Sequence, residues 1–491
     1  MLIFVSLWLC NYLFDMMRKI IVGLVVLLYF VSGHAQEVPE REIEKTDAIT
    51  IYDQDLLSAE FHADRRDQLR KRMTDNSVAI FLAAPVRNRS NDVNFEYHQN
   101  PNFYYFTGLN EPHALVMIFK NPTVVDGREV REVVFMQEKD PETEVWDGKR
   151  YGINGAQMIL GLEMAKENKA FHEIDLNLDQ FDEVYVQKLH DDIRDVPFKN
   201  GDLFDLKSKL DVKLDKVKTK QHNSKLSLWC AELREIKTEE ELTLLRRAIE
   251  ITCDAQREIM RALSPSMKEY QAEALVEYIF KDNGAEYPGF PSILGSGENS
   301  CILHYTSSRR PMSKNDLLVC DIGAEYHGYT ADVTRTLPAN GKYSYEQGTI
   351  YKIVLEAQQA GIDICREGKN FWDPNIAATT VLSQRMKELG IIRNASELRR
   401  YFMHGTSHYL GLDVHDIGRY GKLEAGQVIT VEPGIYIPQG SPCDQKWWNI
   451  GVRIEDDILI TKDDPINLSG CVPRRAKDIE TLMLEKSRFI D

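Results

Sequence analysis

DIGAEYHGYTADVTRT, residues 321–336, sets two carboxylates, Asp321 and Asp332, eleven residues apart. Leu317, Leu318, Val319 and Cys320 lead into the first acid, and Thr334 and Thr336 follow the second. Short apolar or β-branched runs on either side of a Gly-containing segment predict an antiparallel hairpin. In a hairpin whose loop has an even number of residues, an odd separation places two residues directly opposite on one face. The spacing therefore permits the two aspartates to face each other. Facing acids repel, and burial raises the pKa of at least one unless a cation lies between them. On charge patterning alone a solvated acidic hairpin is the simpler reading. Residues about a hundred positions downstream reverse that preference.

There, His404-Gly405-Thr406-Ser407-His408 leads through Gly411 to Asp413-Val414-His415. Residues 428–432 form an apolar run that ends on Glu432, followed by Pro433-Gly434. Residues 452–457 alternate, so Arg453 and Glu455 share one face while Val452 and Ile454 point to the core. An acid that closes a β-branched run is costly to bury unless charge or metal compensates it. Glu432, Glu455, Asp321 and Asp332 all have that property. Two Asp, two Glu and at least one His near strand ends suit Mn²⁺, Co²⁺ or Fe²⁺, with Zn²⁺ as a further choice; a thiolate-rich zinc site is not indicated. Four carboxylates and an imidazole exceed what one cation takes. They fit two cations bridged by carboxylates and a hydroxide.

The chain has 491 residues, and such a length predicts two domains rather than one core. At the N-terminus, Arg18 and Lys19 precede an apolar run, 20–31, and Gly33-His34-Ala35 offers a cleavage point. With Met17 as an alternative start, residues 1–35 read as a secretory signal peptide, which predicts an exported, periplasmic or secreted protein; a retained anchor is the other reading. A formal charge of −16 disfavours nucleic acid, and none is expected as a partner, since phosphate binding needs a basic face. The cysteines show no Cys-x-x-Cys spacing, and after removal of a leader their number is odd. That predicts mostly buried thiols, not a disulfide framework.

Residues 64–75 are helix-compatible and lead into a strand at 78–82. Residues 102–119 read as an aromatic strand, a turn and a second strand, with another strand at 133–136. Helices are expected at 160–168 and 179–189, and a solvated helix and loop over 191–223. Strands alternating with helices give a smaller α/β domain with a mixed sheet over 50–225. Thr238 and the acids after it predict an N-capped helix that opens a second domain, 232–480. Further helices are expected at 267–280, 350–366 and 377–389, with strands at 317–321, 428–432 and 452–460.

Five motifs then occur in one order: GSGENSCILHY (295–305), DIGAEYHGYTADVTRT, HGTSHYLGLDVHD (404–416), VEPGIYI (431–437) and GVRIEDD (451–457). The series resembles that of aminopeptidase P, the Xaa-Pro aminopeptidases, among the pita-bread metallopeptidases. NFYYFTGLNEP (102–112) is similar to a stretch of that family's N-terminal domain, so the resemblance runs over about 64–464. It implies an α/β (α+β) protein with a C-terminal pita-bread metallopeptidase domain behind the smaller N-terminal one. It also implies two divalent ions, Mn²⁺ first among the choices above. By motif, Asp321 would bind one ion, His408 and Glu432 the other, and Asp332 and Glu455 would bridge both. His304, His404 and Tyr436 match pocket residues, and His415 matches a residue that stabilises the tetrahedral intermediate. Arg453 would support a metal-bound carboxylate from behind.

The reaction so implied is hydrolysis of the bond between a first residue and a following proline, by attack of a metal-bridging hydroxide. Glu432 would carry the proton to the prolyl nitrogen, with His404 and His415 as further catalytic candidates. The resemblance further implies a dimer or tetramer. A prolidase restricted to Xaa-Pro dipeptides is the nearest alternative, and a non-catalytic binding protein on the same scaffold is a more distant one. The loop 438–449 with Trp447 and Trp448 departs from the pattern, and its tryptophans are expected to anchor it.

Overall fold

An unbroken apolar run needs neighbours on both sides, and Ser77–Leu82 (β1) is buried at every position. The computed structural model describes residues 52–174, 176–189 and 199–489. The expected leader, 1–35, and residues 190–198 of the Lys- and Asp-rich stretch lie outside them. Among the described residues no helix is long and apolar enough to cross a membrane. Ile51–Asp491 form one compact unit.

In the N-terminal half, Ser58 caps α1 (Ala59–Arg72) by accepting from the Phe61 N–H. After β1 come α2 (Pro101–Thr107), β2 (Leu115–Val125), β3 (Arg128–Met136), β4 (Ala165–Glu167) and β5 (Glu183–Val186). The strands lie in the order β4-β3-β2-β1-β5. β1–β2 and β2–β3 are antiparallel, while β1–β5 and β3–β4 are parallel, so the sheet is mixed as expected.

Three local readings need correction. The aromatic run after Asn100 is helix α2, not strand: the Asn100 side chain accepts from the Asn102 and Phe103 N–H groups, Pro101 occupies the first turn, and Gly108 ends it at φ +69°. Residues 183–186 are a strand because Val184–Val186 are buried beside β1, and residues 178–180 are only a 3₁₀ turn. Over 160–168 the chain forms a turn and β4; the helix lies earlier, at Gly152–Met158. The polar stretch hides one amphipathic helix, α3 (Leu203–Asp215), which buries Leu203, Leu206, Leu210 and Leu214.

α4 (Asn223–Arg234) spans the expected domain junction, and its Leu226 and Cys230 enter a core that runs from Leu57 to Ile479. Thr238 caps α5 (Glu239–Ala262) in a capping box with Glu241. α6 (Glu269–Asp282) and β6 (Ile293–Ser296) follow. The hairpin of the opening motif consists of β7 (Leu317–Ile322), β8 (Ala324–Tyr326), β9 (Tyr329–Thr330) and β10 (Val333–Pro338). Its two-residue turn, His327-Gly328, has φ of +48° and +86°, the left-handed pair a type I′ turn demands. The loop is therefore even, as the parity argument required, yet the register differs from direct opposition. Asp321 pairs with Thr334, and Asp332 lies one diagonal step away on the same face.

Helices α7 (Tyr345–Ile362) and α8 (Asp373–Glu388) precede β11 (Val428–Val431), β12 (Gly434–Ile437), β13 (Ile450–Arg453) and β14 (Asp456–Leu459). β12 pairs with β13 and β11 with β14. Residues 452–460 are thus two strands, not one. The chain changes partner at Ile454-Glu455, and Glu455 projects from that break.

Candidate metal centre

The register of the hairpin brings Asp321 and Asp332 to one wall of a cavity of about 590 Å³. Glu432, at the end of β11, and Glu455, at the β13–β14 break, close it from the facing strands, together with His304, His404, His408, His415 and Arg453. His408 is placed by an extension of the sheet. The Thr430 N–H donates to His408 O at 3.0 Å, the His408 N–H to Thr430 Oγ1 at 3.1 Å, and the Glu432 N–H to Thr406 O at 2.8 Å. Glu455 is tied to the hairpin: its N–H donates to Thr334 O at 3.1 Å, and the Thr334 hydroxyl donates to Glu455 Oε2 at 2.5 Å.

Ligand atoms of Asp332, His408 and Glu455 lie within 4.8 Å of one another. His408 Nε2 is 3.4 Å from Asp332 Oδ2 and 3.6 Å from Glu432 Oε1. His408 Nδ1 lies 3.0 Å from Tyr409 O, a geometry that puts the ring proton on Nδ1 and turns the Nε2 lone pair to the acids. Asp321 Oδ1, Asp332 Oδ1 and Glu455 Oε1 are buried without a hydrogen-bond partner. Burial, then the charges of neighbouring acids, pushes Asp332 and Glu455 well above the usual carboxylate range. Burial pushes Glu432 up to about 7 against the pull of His408 and Arg453. Unmatched hard oxygen donors around one imidazole are a donor set that fits divalent cations.

Behind the acids runs a chain of hydrogen bonds. Arg453 donates through Nη2 to Asp321 Oδ2 at 2.6 Å and through Nη1 to the Tyr436 oxygen at 2.8 Å. The Tyr436 hydroxyl is 2.8 Å from His404 Nε2, and His404 Nδ1 is 2.8 Å from Gly405 O. Because Tyr436 accepts from Arg453, its own proton points to His404. Arg453 shares a face with Glu455 as read, but the acid it grips is Asp321, across the hairpin. Burial, then the Arg453 charge, lowers His404 to about 4, so its ring is neutral. His415 stacks edge-on against His408 with centroids 4.4 Å apart, and burial first, then the nearness of the His408 and His304 rings, lowers its pKa.

All ten residues singled out in the sequence thus gather around this cavity or directly behind it. Trp447 is buried and Trp448 donates to Ser441 O at 3.0 Å; neither lines the cavity, so both anchor their loop. Sequence reasoning missed Thr334, although its β-branched spacing from Asp332 put it on the same face. It also missed Asp457, which accepts from the Asp332 N–H at 3.3 Å, and the apolar wall of Phe290 and Pro291.

Residues 243–462 match the family described as metallopeptidase family M24, and residues 62–182 match the N-terminal domain of aminopeptidase P. The chain is 38% identical over 439 residues to an Xaa-Pro aminopeptidase of Escherichia coli, covering 86% of this chain and 96% of that protein. The fold superposes on the structure of aminopeptidase P from E. coli with the inhibitor Pro-Leu at a TM-score of 0.78, with 36% identity over 87% of this chain and 99% of that one. It superposes equally, at 0.78 and 34% identity, on proline aminopeptidase P II from Yersinia pestis, covering 87% and 100% of the two chains.

Proposed function

The chain belongs to metallopeptidase family M24, in its aminopeptidase P branch, and we propose on that footing that it removes the first residue from peptides whose second residue is proline. The observation that carries the reading is the set of buried, unpartnered carboxylate oxygens around one imidazole, in a chain alike along nearly its whole length to Xaa-Pro aminopeptidases. Asp321, Asp332, His408, Glu432 and Glu455 hold two divalent ions in this reading, with Mn²⁺ the first choice and Co²⁺, Fe²⁺ or Zn²⁺ the others. When bound, such a pair activates water and polarises the scissile carbonyl.

The chain's own groups do the rest. Protons held by Glu432, Asp332 and Glu455 leave as cations enter, and Glu432 then accepts the proton of the attacking water and passes it to the prolyl nitrogen. That nitrogen belongs to a tertiary amide without an N–H, so the pocket recognises shape there and not a donor. His415, held against His408, offers a ring nitrogen to the developing oxyanion, while neutral His404, whose two nitrogens are taken by Tyr436 and Gly405 O, presents its ring to the peptide as part of the pocket wall. His304 lines the mouth. Arg453 fixes Asp321. The leader-like N-terminus supports export, and the family resemblance supports a homo-oligomer, a dimer or tetramer.

The test is hydrolysis of Xaa-Pro-Pro tripeptides beside Xaa-Pro dipeptides by enzyme stripped of metal and reloaded with one cation at a time. We expect turnover of the tripeptide that returns only with metal. Turnover of the dipeptide alone makes the protein a prolidase, and no metal uptake makes it a binding protein.

A further inference from the structure

Among the described residues no hydrogen bond holds the His415 ring, which meets His408 edge-on. Its place is therefore set by its backbone. Residues 409–416 form a closed loop: the Asp416 N–H donates to Tyr409 O at 2.9 Å, which brings His415 back beside His408. The Leu410 N–H donates to Val428 O at 3.1 Å and the Thr330 N–H to Gly411 O at 2.8 Å, so one end of the loop is tied to β11 and β9. The other end, 413–416, is held by charge.

Arg234, the last residue of α4, is 2% exposed and spreads its guanidinium over three acceptors. Nη2 donates to Asp416 Oδ1 and, at 3.0 Å, to Asp413 Oδ2, while Nη1 donates to Asn102 Oδ1 at 2.8 Å. Lys237 Nζ reaches Asp416 Oδ2 at 3.3 Å, so both oxygens of this buried acid are gripped. The fit leaves no slack at Gly411, where a Cβ would come within 2.1 Å of Asp416 Oδ2 and 3.1 Å of Lys237 Cε. Neither Arg234, Lys237 nor Asp416 lines the cavity. A buried ion pair is a weak source of net stability, since desolvation offsets the attraction, but a guanidinium fork fixes its acids in angle and distance.

We propose that Arg234 is a positioning residue for the hydrolysis, acting through Asp416 to aim the His415 ring at the developing oxyanion. Lys237 takes the second oxygen of the same acid, and Asn102, in the first turn of α2, makes the N-terminal domain part of the support. The inference rests on the peptidase reading above and adds to it a path, Asn102–Arg234–Asp416–His415, along which the smaller domain bears on the reaction. An error of about 1 Å in the placement of a reacting group can cost about 10²-fold in rate, so a loosened fork should show in kcat and not in ion binding.

The test is a double-mutant cycle on the full-length, metal-loaded enzyme with an Xaa-Pro-Pro tripeptide. Arg234→Lys keeps the buried charge but lacks the fork; it should lower kcat on the order of 10-fold with KM and metal content unchanged. In the His415→Ala background the same substitution should cost less than about 2-fold, because the ring it aims is gone. Asn102→Ala, a milder change at the other end of the fork, should lower kcat by about 2–5-fold and lose that effect too without His415. An unchanged kcat in Arg234→Lys overturns the proposal. An undiminished loss in the His415→Ala background does so as well and makes Arg234 a prop of the fold, and a fall in metal content moves its action to His408. If His415→Ala by itself leaves kcat unchanged, there is no ring to aim and the proposal falls, while turnover of the tripeptide by the parent keeps the peptidase reading standing. An inactive parent fails the peptidase reading, and the proposal with it. If Arg234→Lys does not fold, the Asn102→Ala arm of the cycle decides.

Discussion

Two buried carboxylates in the catalytic half are treated in opposite ways. Glu269, 0% exposed at the start of α6, accepts from five donors: the Ser296 N–H and hydroxyl, Asn299 Nδ2, the Tyr305 hydroxyl and the Arg310 N–H, all at 2.8–3.1 Å. Glu455, 1% exposed, keeps Oε1 without any partner, as Asp321 and Asp332 each keep one oxygen. Burial is the same and satisfaction is not. At Glu269 the protein supplies every donor and so fixes the segment 296–310, which brings His304 to the cavity. At the metal centre it packs acids together and leaves lone pairs open, an arrangement that stays costly until something positively charged arrives. One carboxylate is a strut, and the others are a receptor.

Removing a member of each group breaks the comparison in opposite directions. Asp332→Ala or Glu455→Ala should lower turnover by on the order of 10³-fold or more, since each deletes part of the ion-holding set that stabilises charge in the transition state. Metal analysis should show substoichiometric loading. Meanwhile the metal-free variant should be no less stable than the metal-free parent, because an uncompensated acid has gone. Full activity without added metal in either variant would falsify the assignment. Glu269→Ala should do the reverse. It strands five donors, and we expect about 3 kcal/mol lost in urea unfolding with the metal content of the folded fraction unchanged. A loss under about 1 kcal/mol would mean that water replaces the carboxylate and that the strut is no strut.

A pH series on the metal-free protein sharpens the same contrast. Glu432 is raised to about 7, and Asp332 and Glu455 are raised as well. Between about pH 4.5 and 7 the folded state retains protons that the unfolded chain has released. Stability is therefore full below that window and falls as pH rises through it, by about 3 kcal/mol from Glu432 alone. Saturating cation should reverse the slope, since metal binding competes with those protons. Thermal melts across pH 4–8 with and without cation test this, and parallel curves would show that the acids do not titrate as a metal-linked group.

Much of this was legible before any fold was known, for identifiable reasons. The Thr238 cap carries its signal in four consecutive residues, and the helix starts where it says. The parity of the hairpin is a property of spacing, so Asp321 and Asp332 share a face; their diagonal offset depends on where the two-residue turn sits, which spacing does not set. Asn100-Pro101 before the aromatic run was a helix cap in plain view, yet β propensity outweighed it. Val184 and Val186 form a strand only because β1 lies alongside, a tertiary fact. The Glu269 node was invisible for a related reason. A Glu in the first turn of a helix reads as ordinary dipole chemistry, and only the folded chain brings residues 296–310 to it.

The smallest effect probes the link between the two kinds of carboxylate. Tyr436 is fully buried and passes the Arg453 contact with Asp321 on to His404. Tyr436→Phe keeps the ring and deletes the relay. Arg453 retains Asp321, so metal content should not move, but His404 loses the hydroxyl that sets its ring. One neutral hydrogen bond is worth about 1 kcal/mol, which predicts a fall in kcat of roughly 5-fold with KM for an Xaa-Pro-Pro peptide nearly unchanged. If KM rises instead and kcat holds, the His404 ring shapes the pocket for the ground-state peptide and takes no part in the transition state. If metal affinity falls, the hydroxyl belongs to the support of Asp321, and the relay ends at Arg453.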